Sequence, residues 1–292
     1  MGIYKSPSSI STNFTQNSKK LFLFLRIYLL AFSRLILQNF NAFRIGKARH
    51  KLSFKELLLY YTPNWYHDFS ELGATTYQFK DEIYPPAQRI KKYKIFEYID
   101  DAIVYVKNMP DYSGDISAVE LFCADGFYAN YMAQKGATKV TGIDIEENSG
   151  EGLTRKSVLA QAKLITKILG NDDKATFQRD DVFNLSGIYD VVLCVGGLYH
   201  LNTPEKLLRL LREKVRHVLI IQTVVTLETE DENYFISPTP EWGWGCRFTH
   251  AWLLRTLRKN GWSILHEYRN ELAFNSRQCD RGSSYVFCVP NK

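Results

Sequence analysis

The chain has 292 residues, 45% of them hydrophobic and 23% charged, with a formal net charge of +6. That composition suits one or two globular domains with a sizeable core and excludes a fibrous or wholly disordered chain. The charge is only weak support for an anionic partner. The five cysteines form no CxxC pair and no Cys/His group has zinc spacing, so no metal site is expected and a reducing, cytoplasmic setting is.

The N-terminus departs from the rest. Residues 1–55 carry ten Lys or Arg and no Asp or Glu. Residues 1–20, rich in Ser, Asn and Thr, are predicted to be disordered. LFLFLRIYLLAFSRLIL follows at 21–37, close to the minimum length for a membrane span but interrupted by Arg26 and Arg34. Both arginines fall with Gln38 and Asn41 along one helical stripe. The pattern predicts an amphipathic helix, with residues 21–45 in contact with a membrane surface, a partner or the protein's own core. No small-residue cleavage site follows, which argues against a signal peptide.

Residues 21–60 read as helices. Residues 61–90 are aromatic and irregular, with Pro63, Pro85 and Pro86 as breakers. A helix over 91–108 and the turn-rich MPDYSGD lead into a regular alternation. Strand-like runs cover 116–123, 139–145, 175–181, 189–197 and 217–225. Helices fall between them at about 127–136, up to about 169 with Gly170 as stop signal, and 203–215, with Thr203 as N-cap and Pro204 in the first turn. A helix near 249–260 precedes two last strands, 264–270 and 283–290, joined without a helix. Alternating strands and helices predict a parallel α/β sheet, and the final pair an antiparallel hairpin at its end. The chain thus divides into 1–20, a helical and aromatic region over 21–110, and an α/β domain over 111–292.

VELFCADGFYAN, residues 119–130, carries the first chemical signal. It sits at the turn after the first strand, where a dinucleotide fingerprint keeps three glycines so that backbone can approach a pyrophosphate. Only Gly126 is present. Acidic Glu120 and Asp125 would repel a pyrophosphate, so a dehydrogenase is disfavoured. Asp144 ends the second strand about twenty residues later, where a carboxylate can accept hydrogen bonds from ribose hydroxyls. Asp181 and Val182 end the third strand, with Asp180 beside them. The fourth ends in CVGGLYHLNTP, where Gly196 and Gly197 allow close approach and Tyr199 and His200 follow.

The layout and these motifs resemble the class I S-adenosylmethionine-dependent methyltransferases over about 116–290. That resemblance implies a Rossmann-like, seven-stranded, mostly parallel sheet with an antiparallel C-terminal hairpin. In the family's acidic-x-Gly-x-Gly-x-Gly motif, Glu120 takes the acidic place, Phe122 the first glycine, Ala124 the second and Gly126 the third. Phe122 is then expected to be strand-like, with its ring in the sheet packing. The resemblance implies S-adenosylmethionine as cofactor. Glu120, Cys123, Ala124, Asp125 and Gly126 would surround its aminoacyl end, Asp144 its ribose, and Ile145, Asp181 and Val182 its adenine. Val195 and Gly196 would lie near the methyl donor. The Gly-x-Leu-Tyr-His segment is similar to that of tRNA wobble-uridine carboxymethyltransferase-like proteins.

His200 has the unperturbed pKa suited to a general base or acceptor orienter, with Tyr199 beside it. Trp65, Tyr66 and His67, together with Trp242, Trp244 and Arg247, are the expected acceptor walls. A small-molecule or lipid-like acceptor is expected. Transfer to tRNA is the alternative, less favoured because the basic residues are mixed with a very apolar run. A non-catalytic, membrane-associated binding protein that kept the fold is the alternative of another class. The oligomeric state stays open.

Overall fold

The computed structural model describes residues 8–39, 45–48, 51–62, 65–76, 85–145, 158–238, 245–272 and 281–291. Three helices come first: α1 (Ser8–Asn39), α2 (Phe54–Tyr61) and α3 (Pro85–Lys107). They are followed by β1 (Ser117–Leu121), α4 (Phe127–Lys135), β2 (Lys139–Asp144), α5 (Val158–Leu169), β3 (Ala175–Arg179), β4 (Tyr189–Val195), α6 (Pro204–Lys214) and β5 (Val215–Val225). The chain closes with β6 (Phe235–Ile236), β7 (Arg247–Phe248), α7 (His250–Lys259), β8 (Trp262–Glu271) and β9 (Gly282–Pro290).

The large sheet runs β3-β2-β1-β4-β5-β9-β8, parallel from β3 to β5, with β9 antiparallel to both β5 and β8. Strand order reverses between β1 and β4, which opens a crevice at the C-terminal ends of β1, β2 and β4. Alternate residues feed two cores, as a period of two requires. Ala118, Val191, Leu193, Val218 and Ile220 pack with α2 to α5 on one face. Val119, Val192, Cys194, Leu219 and Ile221 pack with α6 and α7 on the other. The four described cysteines are free and buried.

Two expectations change here. α1 is already helical at Ser8, where disorder was expected, because no Pro or Gly interrupts the run after Pro7. α3 begins at Pro85 and includes both prolines expected to break it. Pro in a first helical turn loses no intrahelical hydrogen bond.

Candidate active site

The first turn answers the question of the missing glycines. Phe122 and Ala124 sit at φ 59° and 45°, the two non-glycine residues with positive φ among the described residues. Gly126, at φ 75°, caps α4. The chain therefore keeps the left-handed backbone that glycines would adopt freely, at a cost of about 1–2 kcal/mol per residue. Phe122 is accordingly not strand-like. Its ring lies against Gly197, where any Cβ would fall 1.9 Å from it. A Cβ on Gly126 would fall 2.5 Å from the Phe177 ring. The turn is held by Gly126 N–H donating to Cys123 O (2.7 Å) and Cys123 N–H donating to Ile143 O (3.1 Å).

The acids near this turn already have partners. Glu120 is buried, and its Oε2 accepts the Ala129 N–H at 2.7 Å in the first turn of α4. Burial raises its pKa well above the usual carboxylate range, and the charges of Asp125 and Asp144 add to this. Asp125 is fully buried and faces His67: Oδ2 accepts the His67 N–H at 2.8 Å, and Oδ1 lies 2.6 Å from Nδ1. The His67 ring stacks on Phe127 at 4.7 Å, and its Nε2 is buried without a hydrogen-bond partner. Cys123 is buried against the place where a Gly142 Cβ would be, so its side chain serves the core.

Lys91, on α3, was missed from sequence. Its Nζ lies 3.3 Å from where a Cβ on Gly196 would sit, at the end of β4. Burial lowers the ammonium to about 8, opposed by the charge of Glu120. Lys91 lies in a KKYK run that reads as a solvated helix face, so no sequence signal marks it.

On the other side of the turn, Asp144 ends β2, and its Oδ2 accepts the Ala124 N–H at 2.8 Å. Ile145 follows, 63% exposed at the crevice. Asp181 Oδ1 accepts the Phe183 N–H and caps a 3₁₀ turn at Val182–Asn184. Val182 is buried in the α6 core, and Asp181 Oδ1 is engaged at this turn. Asp180 donates its N–H to Asp144 O and accepts the Asp181 N–H.

β4 ends at Val195, which is buried. Gly196, at φ 73°, turns the chain into a 3₁₀ turn at Leu198–His200. The Tyr199 and His200 rings lie 3.9 Å apart, with His200 exposed at the rim. Cys246 N–H donates to Tyr199 O at 2.8 Å, which seats the segment before β7 on this turn. Arg247 lies in β7, paired with Ile236. Trp242 and Trp244 lie outside the described residues. Trp65 is 2% exposed, and its Nε1 donates to Tyr60 O at 3.0 Å. It is a core residue under Phe69 rather than an acceptor wall, whereas Tyr66 is exposed.

A family model described as a methyltransferase domain matches residues 93–267. The chain belongs to the S-adenosylmethionine-dependent methyltransferase family. Among solved structures, the magnesium protoporphyrin IX methyltransferase of Synechocystis PCC 6803 with bound S-adenosylhomocysteine is similar at 18% identity. It covers 76% of this chain and 92% of its own, with a TM-score of 0.51. The [4+2]-cyclase SpnF matches at 17% identity over 67% of this chain and 81% of its own, TM-score 0.50. Likenesses at such identity show the fold alone. Among curated proteins, tRNA U34 carboxymethyltransferases of Mannheimia succiniciproducens and Actinobacillus succinogenes are each 28% identical, over 41% and 42% of this chain. The match spans only 35% and 36% of those relatives' own length.

The crevice of this methyltransferase fits S-adenosylmethionine. The turn keeps its left-handed backbone, a carboxylate ends β2, and an ammonium lies beside Gly196, where the cofactor's carboxylate would meet it.

Proposed function

We propose that the chain moves a methyl group from S-adenosylmethionine to an oxygen or nitrogen, or a carbon, of a small or lipid-like molecule. The observation that carries the transfer is the junction of the left-handed turn, Asp144 and Lys91 at the switch point of the sheet. Asp144 would hold the ribose hydroxyls and Lys91 the cofactor's carboxylate. When bound, the cofactor supplies an electrophilic methyl group on a sulfonium.

The chain's own residues handle the acceptor proton. With Nδ1–H donated to Asp125, the His67 ring presents a basic Nε2, and the carboxylate would stabilise the imidazolium formed on proton uptake. We therefore assign the general base to His67 and acceptor positioning to the exposed His200 with Tyr199. The pair replaces the His200 assignment expected from sequence, because a rim histidine in water is a poorer-placed base than an oriented, enclosed one.

Transfer to tRNA is the second reading, favoured by the likeness to the tRNA U34 carboxymethyltransferases. Label transfer from radioactive S-adenosylmethionine into a cell extract, with and without ribonuclease, separates the two. Label surviving ribonuclease and partitioning into organic solvent or a small-molecule fraction supports our reading, and label lost to ribonuclease establishes the other. Once the product is in hand, His67→Gln is expected to lower kcat about 10²–10⁴-fold with little change in S-adenosylhomocysteine affinity. His200→Gln is expected to raise KM more than it lowers kcat. The reverse pattern would return the base to His200.

A further inference from the structure

α1 is amphipathic with its polar side inward. At 100° per residue, Ala31, Arg34 and Gln38 fall on one side. Ala31 and Gln38 are buried there, and Gln38 Oε1 accepts the Leu52 N–H at 2.9 Å. On the opposite arc lie Leu21, Phe22, Leu25, Leu29, Phe32 and Ile36, between 41% and 72% exposed. Arg34 and Gln38 of the predicted stripe thus lie on the packed side, while Arg26 stays exposed with Ser33 at the edge of an otherwise apolar outward arc. A helix on the surface of a water-soluble domain has these faces exchanged. A continuous apolar strip of this length, roughly 25 Å from Leu21 to Leu37, marks a docking surface.

The charge beside the strip identifies the occupant. Residues 1–55 hold ten Lys or Arg and no Asp or Glu. We propose that α1 docks in the plane of an anionic lipid bilayer, its apolar arc among the acyl chains and its flanking cations at the headgroup phosphates. Two alternatives fit less well. The window Leu21–Gln38 is long and apolar enough to cross a membrane. Its second half, however, is fastened to the protein. Tyr28 meets Phe54 edge-on at 5.1 Å, Gln38 holds Leu52, and Glu56 of α2 pairs with Lys167 of α5 at 2.9 Å. A crossing would draw these polar groups into hydrocarbon, whereas lying in the interface meets the apolar arc and leaves them in place. A second copy docked through the same arc would bring two acid-free basic segments together with nothing in them to offset the repulsion. A phosphatidylglycerol surface supplies that offset.

The test uses the full chain, sedimented with phosphatidylcholine vesicles with and without phosphatidylglycerol. The expected result is sedimentation with the anionic vesicles, weakened by salt and weakened at least about tenfold in Leu25→Glu/Leu29→Glu. Both substitutions point away from the protein, so melting temperature and S-adenosylhomocysteine affinity should stay unchanged. That control separates lost docking from lost folding, and the salt dependence of the unaltered chain stands whatever the variant does. A full chain that stays in the supernatant with both vesicle types overturns the proposal, as does a stable variant that sediments as well as the unaltered chain. A dimer that Leu25→Glu/Leu29→Glu dissociates, with no vesicle binding, assigns the arc to a second copy instead.

Discussion

Ala124 and Phe122 raise the same problem at the residue scale: each holds a left-handed backbone without being glycine. The two have different compensations. Phe122 places its ring on Gly197, so its strain is partly offset by packing. Ala124 offers only a methyl group, and its N–H is committed to Asp144. Ala124→Gly should therefore stabilise the chain by about 1 kcal/mol, read as a higher urea midpoint at unchanged slope. An unchanged or lower midpoint would mean that the loop relaxes its dihedral angle in solution. Lys91 gives a second expectation at this scale, with two opposite signs. Its folded pKa of about 8 lies below the ordinary 10.5. Between these values the unfolded chain binds more protons, so Lys91 makes stability rise with pH across that window. If Lys91 holds the cofactor's carboxylate, affinity should move the other way. S-adenosylhomocysteine binding should weaken by about tenfold as pH climbs through 8 toward the higher pKa of the complex, and Lys91→Met should flatten the curve. Calorimetry across pH 7 to 10 reads both variants; a pH-independent affinity in the unaltered chain removes Lys91 from the cofactor.

Elements show which signals a sequence carries and which it does not. The central strands were legible because burial on both faces leaves nearly unbroken apolar runs, such as VVLCV in β4 and VLIIQTVV in β5. Their C-terminal ends were read two residues too long in β3 and β4, since β3 ends at Arg179 and β4 at Val195. At β4 the reason is Gly196, whose positive φ turns the chain out of the sheet. The antiparallel end was legible from a missing helix between the last two strands. Two-residue β6 and β7 are too short for any periodicity to register. Site residues divide the same way. Asp144 follows from its place at the end of β2, a local rule. His67 and Asp125 meet across 58 positions, and Lys91 reaches Gly196 from α3, so neither contact leaves a local trace. Trp65 was misassigned because aromatic clustering before a domain reads alike for a lid and for a core; only burial tells them apart. α1 was read as amphipathic, but which of its faces meets the protein depended on where Leu52 and Phe54 would lie.

For the whole molecule, the question is whether the segment before α3 is an accessory or part of the fold. The family match begins at residue 93, as if the preceding residues were dispensable. The packing argues otherwise. Leu57, Trp65 and Phe69 are buried in the same core as α4, α5 and the sheet. Phe69 meets Phe127 edge-on at 5.0 Å, and Gly46 is pressed on the Ile168 carbonyl. His67 comes from this segment, so its closure over Asp125 and the filling of the core are one structural event. Each large side chain lost from such a core removes about 1.5–3 kcal/mol of burial, against a total stability of about 5–15 kcal/mol for a typical domain. A chain beginning at Pro85 keeps every strand, α3 and Lys91, yet should lose cooperative unfolding and measurable S-adenosylhomocysteine binding. His67→Gln separates the two contributions, because it spares the buried apolar residues. That variant should melt within a few degrees of the unaltered chain while turning over slowly. Cooperative melting and full cofactor affinity in the shortened chain would show instead that the sheet and its own helices close the core unaided, leaving the preceding segment only its role at the acceptor.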